Sequence, residues 1–307
     1  MQSQSRGGNV RRPVIVIPTN RTSGYVEAFL RSWKKEFDGA DVIIVEDRKE
    51  KILQGIGHET FDWNDIDNEL KEDSWIIPRG TDCVRSFGFL KALERDPLFI
   101  VSMDDDVRPH TRGLLKSHYE NLTKTVPYRY ISTMKGILPR GSKYDISSKV
   151  AISHGGWVGV PDLDADTQIH NDMHDADEED FNEVYIPSGT LYSMCGMNVA
   201  FKPEVTKLMY FGLQGREFAI DRCGDIWAGF YAQSNLPYDM GSHSGEPYVE
   251  HNKASNIWTN LHKERNAVTA TKDFLAFCDN DVATLPAYFK KLEKAYDIWG
   301  DECQKRL

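Results

Sequence analysis

The sequence predicts an α/β protein: a doubly wound, mainly parallel sheet with flanking helices and a mixed C-terminal half. Three observations point there. Apolar strand-like runs alternate with helix-spaced segments through the first third of the chain, the pattern of a parallel sheet with crossover helices. Three of those runs hand over to a polar residue at their carboxyl end, Thr19, Asp47 and Asp104, where open α/β sheets bind ligands. The third run, Ile100-Val-Ser-Met-Asp-Asp-Asp-Val107, ends in three consecutive carboxylates.

Taken in order, residues 13–19 read as a buried strand, and residues 25–37 follow with Val26, Phe29, Leu30, Trp33 and Phe37 at helical spacing. A second strand at 41–46 ends at Asp47. A polar stretch to Pro78 precedes a helix expected over 81–95 and a strand over 98–103. Beyond about residue 130 the pattern becomes mixed, with short strands expected at 130–133, 150–153 and 184–187 and a helix at 225–233. Residues 170–183 are acidic and nearly devoid of apolar side chains, so an exposed loop or mobile lid is expected rather than a calcium loop. The last helix, about 284–300, has Pro286 in its first turn. It carries Leu285, Tyr288, Phe289, Leu292, Tyr296 and Trp299 on one face, for the core or for an oligomer interface. Residues 1–12 are expected to be a flexible N-terminus, and 13–307 a single domain.

At 307 residues, core burial is not limiting. A net charge of −10 argues against a surface that binds nucleic acid chiefly through phosphates, though a local basic patch stays open. Cys83, Cys195, Cys223, Cys278 and Cys303 are odd in number and lack a Cys-x-x-Cys pair, which suggests neither a disulfide framework nor a zinc site. A reducing, cytoplasmic location fits, peripheral to a membrane at most, because no stretch approaches the roughly 20 apolar residues of a membrane span.

The carboxylates carry the most chemistry. In an extended chain successive side chains alternate faces, so Asp104 and Asp106 are expected on one side and Asp105 on the other. Hard divalent cations take such oxygen ligands and share them with substrate phosphates, which makes a nucleotide diphosphate the natural second partner. Asp-Asp-Asp alone reads equally well as a solvated turn or helix cap; the strand before it favours the metal.

A collinear set of stretches resembles the UDP-arabinopyranose mutases, or reversibly glycosylated polypeptides, a glycosyltransferase family of GT-A fold. They are Ile17-Pro-Thr19, Ile44-Val-Glu-Asp47, Cys83-Val-Arg-Ser-Phe-Gly88, Met103-Asp-Asp-Asp106 and Ser153-His-Gly-Gly-Trp157. Pro161-Asp-Leu-Asp-Ala165, Ile186-Pro-Ser-Gly-Thr-Leu191, Met194-Cys-Gly-Met-Asn198, Met209-Tyr-Phe-Gly-Leu213, Asp225-Ile-Trp-Ala-Gly229 and His251-Asn-Lys-Ala-Ser-Asn256 complete the set. The resemblance implies a UDP-sugar held by a divalent cation, manganese or magnesium. It implies Asp104, Asp106 and His251 as metal ligands and Thr19, Asp47, Arg85, Asp104, Asp105, Trp157 and Lys253 as substrate-binding residues. For Arg85 a surface salt bridge, for His251 a structural role, and for Trp157 and Trp227 a place in the core are the alternatives.

Asp225 is the carboxylate expected nearest the transferred sugar, where it would bind hydroxyls, act as a base or stabilise positive charge at the anomeric carbon. A helix N-cap is its structural alternative. The family has two successive acids there, and this chain has Gly224-Asp225. Arg140, followed by Gly141, stands near the position that becomes reversibly glycosylated in the family, two residues short in spacing; a diphosphate clamp is its other reading.

The expected function is a metal-dependent interconversion of UDP-arabinopyranose and UDP-arabinofuranose. The alternatives are transfer of a pentose from a UDP-sugar to an acceptor, whether glycan, small molecule or hydroxylated DNA base, and a noncatalytic nucleotide-sugar-binding subunit. A homo- or hetero-oligomer is compatible with each.

Overall fold

The computed structural model describes residues 11–127 and 147–307. Its first half runs β1 (Val14–Thr19), α1 (Ser23–Phe37), β2 (Asp41–Glu46), β3 (Glu59–Phe61), α2 (Trp63–Leu70), α3 (Val84–Leu93), β4 (Ile100–Met103), β5 (Val107–Pro109), α4 (Leu114–Thr123) and β6 (Thr125–Pro127). There follow β7 (Ser147–Gly159), α5 (Ala165–Asn171), β8 (Val184–Pro187), β9 (Asn198–Phe201), α6 (Gly224–Asn235), β10 (Met240–His251), α7 (Ile257–Cys278) and α8 (Ala287–Gln304). Among the described residues the strands join one sheet in the order β3-β2-β1-β4-β9-β7-β10-β5, with β6 on β7 and β8 on β10.

Strand direction decides where a ligand can sit. β3, β2, β1 and β4 are mutually parallel; β9 is antiparallel to both β4 and β7, so β7 and its parallel partner β10 point the same way as the first four. The sheet is therefore mainly parallel with a mixed C-terminal half, the expected GT-A-like layout. The carboxyl ends of β1, β2, β4, β7 and β10 all open onto one edge. The expected strand at 130–133 lies outside the described residues.

Alternation along β1 builds the two cores. Val14 and Val16 join a cluster with α3, α6, α7 and α8, whereas Ile15 and Ile17 face α1 and α4, as period-two side chains must. Gly88 lets α3 lie flat on the sheet, since a Cβ there would come within 2.3 Å of Val16 Cγ1. The expected stripe on α8 is core: Phe289, Leu292, Tyr296 and Trp299 are buried, with Trp299 stacked on Tyr210. At about 1.5–3 kcal/mol for each fully buried large side chain, this helix is an integral part of the domain.

Three details differ from the sequence reading. The 22-residue α7 went unrecognised because its buried face includes Asn260 and Glu264, which break the apolar stripe. The strand expected at 150–153 is the middle of a longer one, Ser147–Gly159, that runs on through His154, Gly155 and Gly156. The acidic segment is largely exposed but pinned to the end of β7. Gly159 and Ala176 exchange N–H···O bonds of 2.8 Å in both directions, and Phe181 packs edge-on against Trp157.

Candidate active site

A cavity of about 430 Å³ lies at the common carboxyl edge of the strands. Thr19, Asp47, Arg85, Asp104, Asp105, Asp106, Asp225 and Lys253, all expected from the sequence, line it together. So do Arg21, Asp82, Asp162, Asp221, Arg222 and Lys263, which were not expected. Eight aspartates against five basic side chains leave a formal excess of three negative charges.

β4 ends at Met103, so the alternation of an extended strand does not continue through the three aspartates, and they fan out. Asp104 turns to Arg85, whose Nη2 donates to Oδ1 at 2.8 Å. Asp105 accepts the Thr19 hydroxyl and Arg21 Nε. Asp106 Oδ2 accepts from Lys253 Nζ at 2.9 Å and from Arg21 Nη2 at 3.3 Å. It is therefore Asp105 and Asp106, bridged by Arg21, that converge, not Asp104 and Asp106. Burial opposes ionisation of Asp106, but the Lys253 hydrogen bond and charge, with His251 and Arg21, outweigh it and hold the carboxyl below its ordinary range. Asp105 is raised, chiefly by burial.

Arg85 is 4% exposed and spends its donors inside the protein: on Ser102 Oγ at 2.8 Å, Gly196 O at 2.7 Å, Asp104, and the Asp82 carbonyl at 3.2 Å. It is thus a buried brace between the aspartate turn and the loop before β9, not a surface salt bridge. Asp47 Oδ1 accepts Trp63 Nε1–H at 2.8 Å and Gly80 N–H at 2.9 Å, and burial raises its pKa.

His251 donates Nδ1–H to the Val160 carbonyl at 2.8 Å, which orients the ring and leaves Nε2 for another partner. The residue influences Asp106 electrostatically. Among the described residues no group of three or more His, Cys, Asp or Glu is arranged as a metal cage. Asp104, Asp106 and His251 are accordingly not gathered as a closed set, because Asp104 is committed to Arg85. An oxygen-rich turn beside an imidazole lone pair nevertheless has the donor chemistry for manganese or magnesium shared with phosphate oxygens.

Asp225, second residue of α6, also lines the cavity. Oδ2 accepts Gly196 N–H at 3.0 Å and Oδ1 its neighbour Ile226 N–H at 2.8 Å. The N-cap is Cys223, so Asp225 is a first-turn residue and not the cap. Burial first, then the charges of Asp82 and Asp162, push its pKa up to about 7 against the Gly196 bond and Arg85. Asp82 and Asp162 are themselves raised, chiefly by burial.

Trp157 does not line the cavity. It is 4% exposed in the core on the α1 and α4 side, so the substrate-binding expectation is corrected: aromatic packing, with Phe181 at 5.3 Å, claims the ring. Trp227 is likewise core, stacked on Phe274 at 4.1 Å. Arg140 lies outside the described residues. Of the residues missed, Arg21 and Asp162 follow strand carboxyl ends, the rule that found Thr19, Asp47 and Asp104. Asp162 escaped because β7 was read as ending at 153. The cysteines are free, and all but Cys195 are fully buried.

The chain matches the model of the family described as reversibly glycosylated polypeptide over residues 12–307. It is 30% identical to UDP-arabinopyranose mutase 1 of Oryza sativa subsp. japonica, across 95% of this chain and 84% of that one. With UDP-arabinopyranose mutase 3 of Arabidopsis thaliana it shares 31% identity over 92% and 81% of the two chains. Among solved structures, glucosyl-3-phosphoglycerate synthase from Mycobacterium tuberculosis in complex with phosphoglyceric acid covers 87% of this chain and 81% of its own, at 10% identity and a TM-score of 0.49. The complex of the same enzyme with Mn2+, uridine-diphosphate and glucosyl-3-phosphoglycerate gives a TM-score of 0.47 at 10% identity, with the same coverage. Both structural likenesses are too distant to bear on the reaction.

Proposed function

The chain belongs to the reversibly glycosylated polypeptide family, and we propose on that basis that it is a UDP-sugar enzyme that interconverts UDP-arabinopyranose and UDP-arabinofuranose. The observation that carries this reading is the pairing, in one cavity, of a cation-braced aspartate turn and a carboxyl titrating near neutrality. Relatives named UDP-arabinopyranose mutase at about 30% identity over nearly the whole chain support it.

Ring contraction requires that the bond from the anomeric carbon to UDP break, that the bond from the anomeric carbon to the pyranose ring oxygen O5 break as the C4 hydroxyl oxygen bonds to that carbon, and that UDP return. An anionic diphosphate meets a cavity rich in carboxyl groups, and a divalent cation between them would favour its binding. Asp106 and His251 are the residues that would hold such an ion together with the diphosphate, and the ion would neutralise charge on departing UDP. Lys253 and Arg21, already beside Asp106, supply further positive charge to the same group. Thr19 and Asp47 face the nucleoside end of the cavity from β1 and β2, and Arg85 keeps the aspartate turn in place. Asp225 receives the proton of the C4 hydroxyl that closes the new ring, and the old ring oxygen O5 takes up a proton as it becomes the C5 hydroxyl, which restores the carboxylate; a group with its pKa pushed up to about 7 is suited to both transfers. No step here is routed through Arg140.

The test is incubation with UDP-arabinopyranose and manganese without acceptor, with product ring size determined by chromatography and NMR. Furanose product is expected. Turnover only with an added acceptor would make the protein a transferase, and binding without turnover a noncatalytic partner; either outcome overturns the mutase reading.

A further inference from the structure

Gly224 opens α6 directly behind the sugar side of the cavity. A Cβ built there would lie 2.1 Å from Gln214 Nε2, 2.9 Å from Asp82 Oδ1 and 2.9 Å from the Phe211 carbonyl oxygen. No side chain fits at 224 while those atoms stay in place. The space is filled instead from two other parts of the chain. Gln214, 3% exposed, donates Nε2–H to Asp82 Oδ1 at 2.6 Å and to Phe211 O at 2.9 Å, and its Oε1 accepts the Cys223 N–H at 3.1 Å. Every polar group of this buried amide is thereby used, and it ties the Asp82 carboxylate to the residue that caps α6. Asp82 is held against the backbone one residue before Asp225.

We propose that Asp82 is a positioning residue for the reaction: held by Gln214 in the room that Gly224 leaves, its carboxyl is packed against the first turn of α6, which carries Asp225, and this crowding of two carboxyls lets Asp225 meet the sugar as an acid as well as a base. Like charges crowded in a partly dehydrated site do not both ionise freely. Other titratable groups share this field: Cys195 and Cys223 interact with Asp225, and Cys83 and Cys223 with Asp82. Asp162 presses on Asp225 in the same sense, but its charge ranks behind that of Asp82; Arg85 opposes both, and Asp104 and Arg222 act on Asp82 with opposite signs. Asp225 thus has a carboxyl neighbour in the turn before α3. The assignment rests on the cavity being the UDP-sugar site, while its first test needs no substrate.

Carboxyl 13C NMR of protein labelled at aspartate, with the Asp225 resonance identified by its loss in Asp225→Asn, follows the titration directly. Asp225 is expected to titrate near pH 7 in the wild type and at least ~0.5 pH unit lower in Asp82→Asn. In turnover, Asp82→Asn is expected to lower kcat ~10-fold or more with KM changed little, and to move the Asp225 limb of the pH–rate profile to lower pH. An Asp225 titration unmoved in Asp82→Asn overturns the inference. So does a wild-type Asp225 that titrates in the ordinary carboxylate range near 4, whatever the variants do. Should Asp82→Asn lose its native circular dichroism, Gln214→Met, which frees Asp82 without removing it, must shift the Asp225 titration, and no shift again overturns the inference. A wild type that turns over no UDP-sugar sinks the functional reading and leaves the titration result standing.

Discussion

Asp106 and Asp225 face the same cavity with opposite surroundings. Asp106, at the turn after β4, has Lys253 Nζ at 2.9 Å and Arg21 Nη2 at 3.3 Å, and these cations hold it below the ordinary carboxylate range despite burial. Asp225, at the start of α6, bonds the backbone N–H groups of Gly196 and Ile226, and burial beside Asp82 and Asp162 pushes it up to about 7. One wall therefore presents fixed charge, suited to a cation and a diphosphate. The other presents a proton that can move. Identical side chains are shifted in opposite directions because their neighbours differ.

The comparison breaks most visibly in turnover. Asp225→Asn is expected to lower kcat by ~10²-fold or more while UDP affinity stays within a few-fold, the signature of a group used in the transition state. Steady-state kinetics beside calorimetry checks this, and parallel losses in both quantities would erase the distinction between the walls.

Stability should show a difference of sign. The folded pKa of Asp225 lies above its unfolded value, so the native state keeps a proton that the unfolded chain loses, and stability falls as pH rises from about 4 towards 7. Asp225→Asn removes that penalty and should raise Tm by roughly 2–5 °C at pH 8 and by much less at pH 4.5. The folded pKa of Asp106 lies below its unfolded value, so its contribution is present above about pH 4 and is lost as pH falls further. Asp106→Asn should therefore lower Tm at pH 7. Thermal melts of both variants decide it, and shifts of the same sign at neutral pH would contradict the contrast.

Much of the cation-braced wall was legible in the sequence because it follows a local rule: residues at or just past the carboxyl ends of parallel strands line the cavity at that edge of the sheet. Thr19, Asp47 and Asp104 to Asp106 obey it. The proton-bearing wall was less legible, since Asp225 is joined there by Asp82, from the turn before α3, and Asp162, beyond an extension of β7 that glycines and histidine disguised. Fold legibility failed in the same way at α7, where Glu264 accepts the Ala165 N–H at 2.7 Å and so buries a charge on what should have been an apolar face. Burial driven by a partner far along the chain leaves no periodic mark.

The smallest effect concerns a residue that both walls exclude. Trp157→Phe should leave UDP affinity within about two-fold of wild type, because the indole packs on Phe181 and away from the cavity. A tenfold loss by calorimetry would return Trp157 to the site.

The most direct test of the division between the walls is UDP calorimetry with and without manganese in the wild type, Asp106→Ala and Asp225→Asn. Manganese should raise UDP affinity ~10-fold or more in the wild type and in Asp225→Asn, and should give little or no gain in Asp106→Ala. Equal affinities with and without metal in the wild type, or a full manganese gain in Asp106→Ala, would contradict the account.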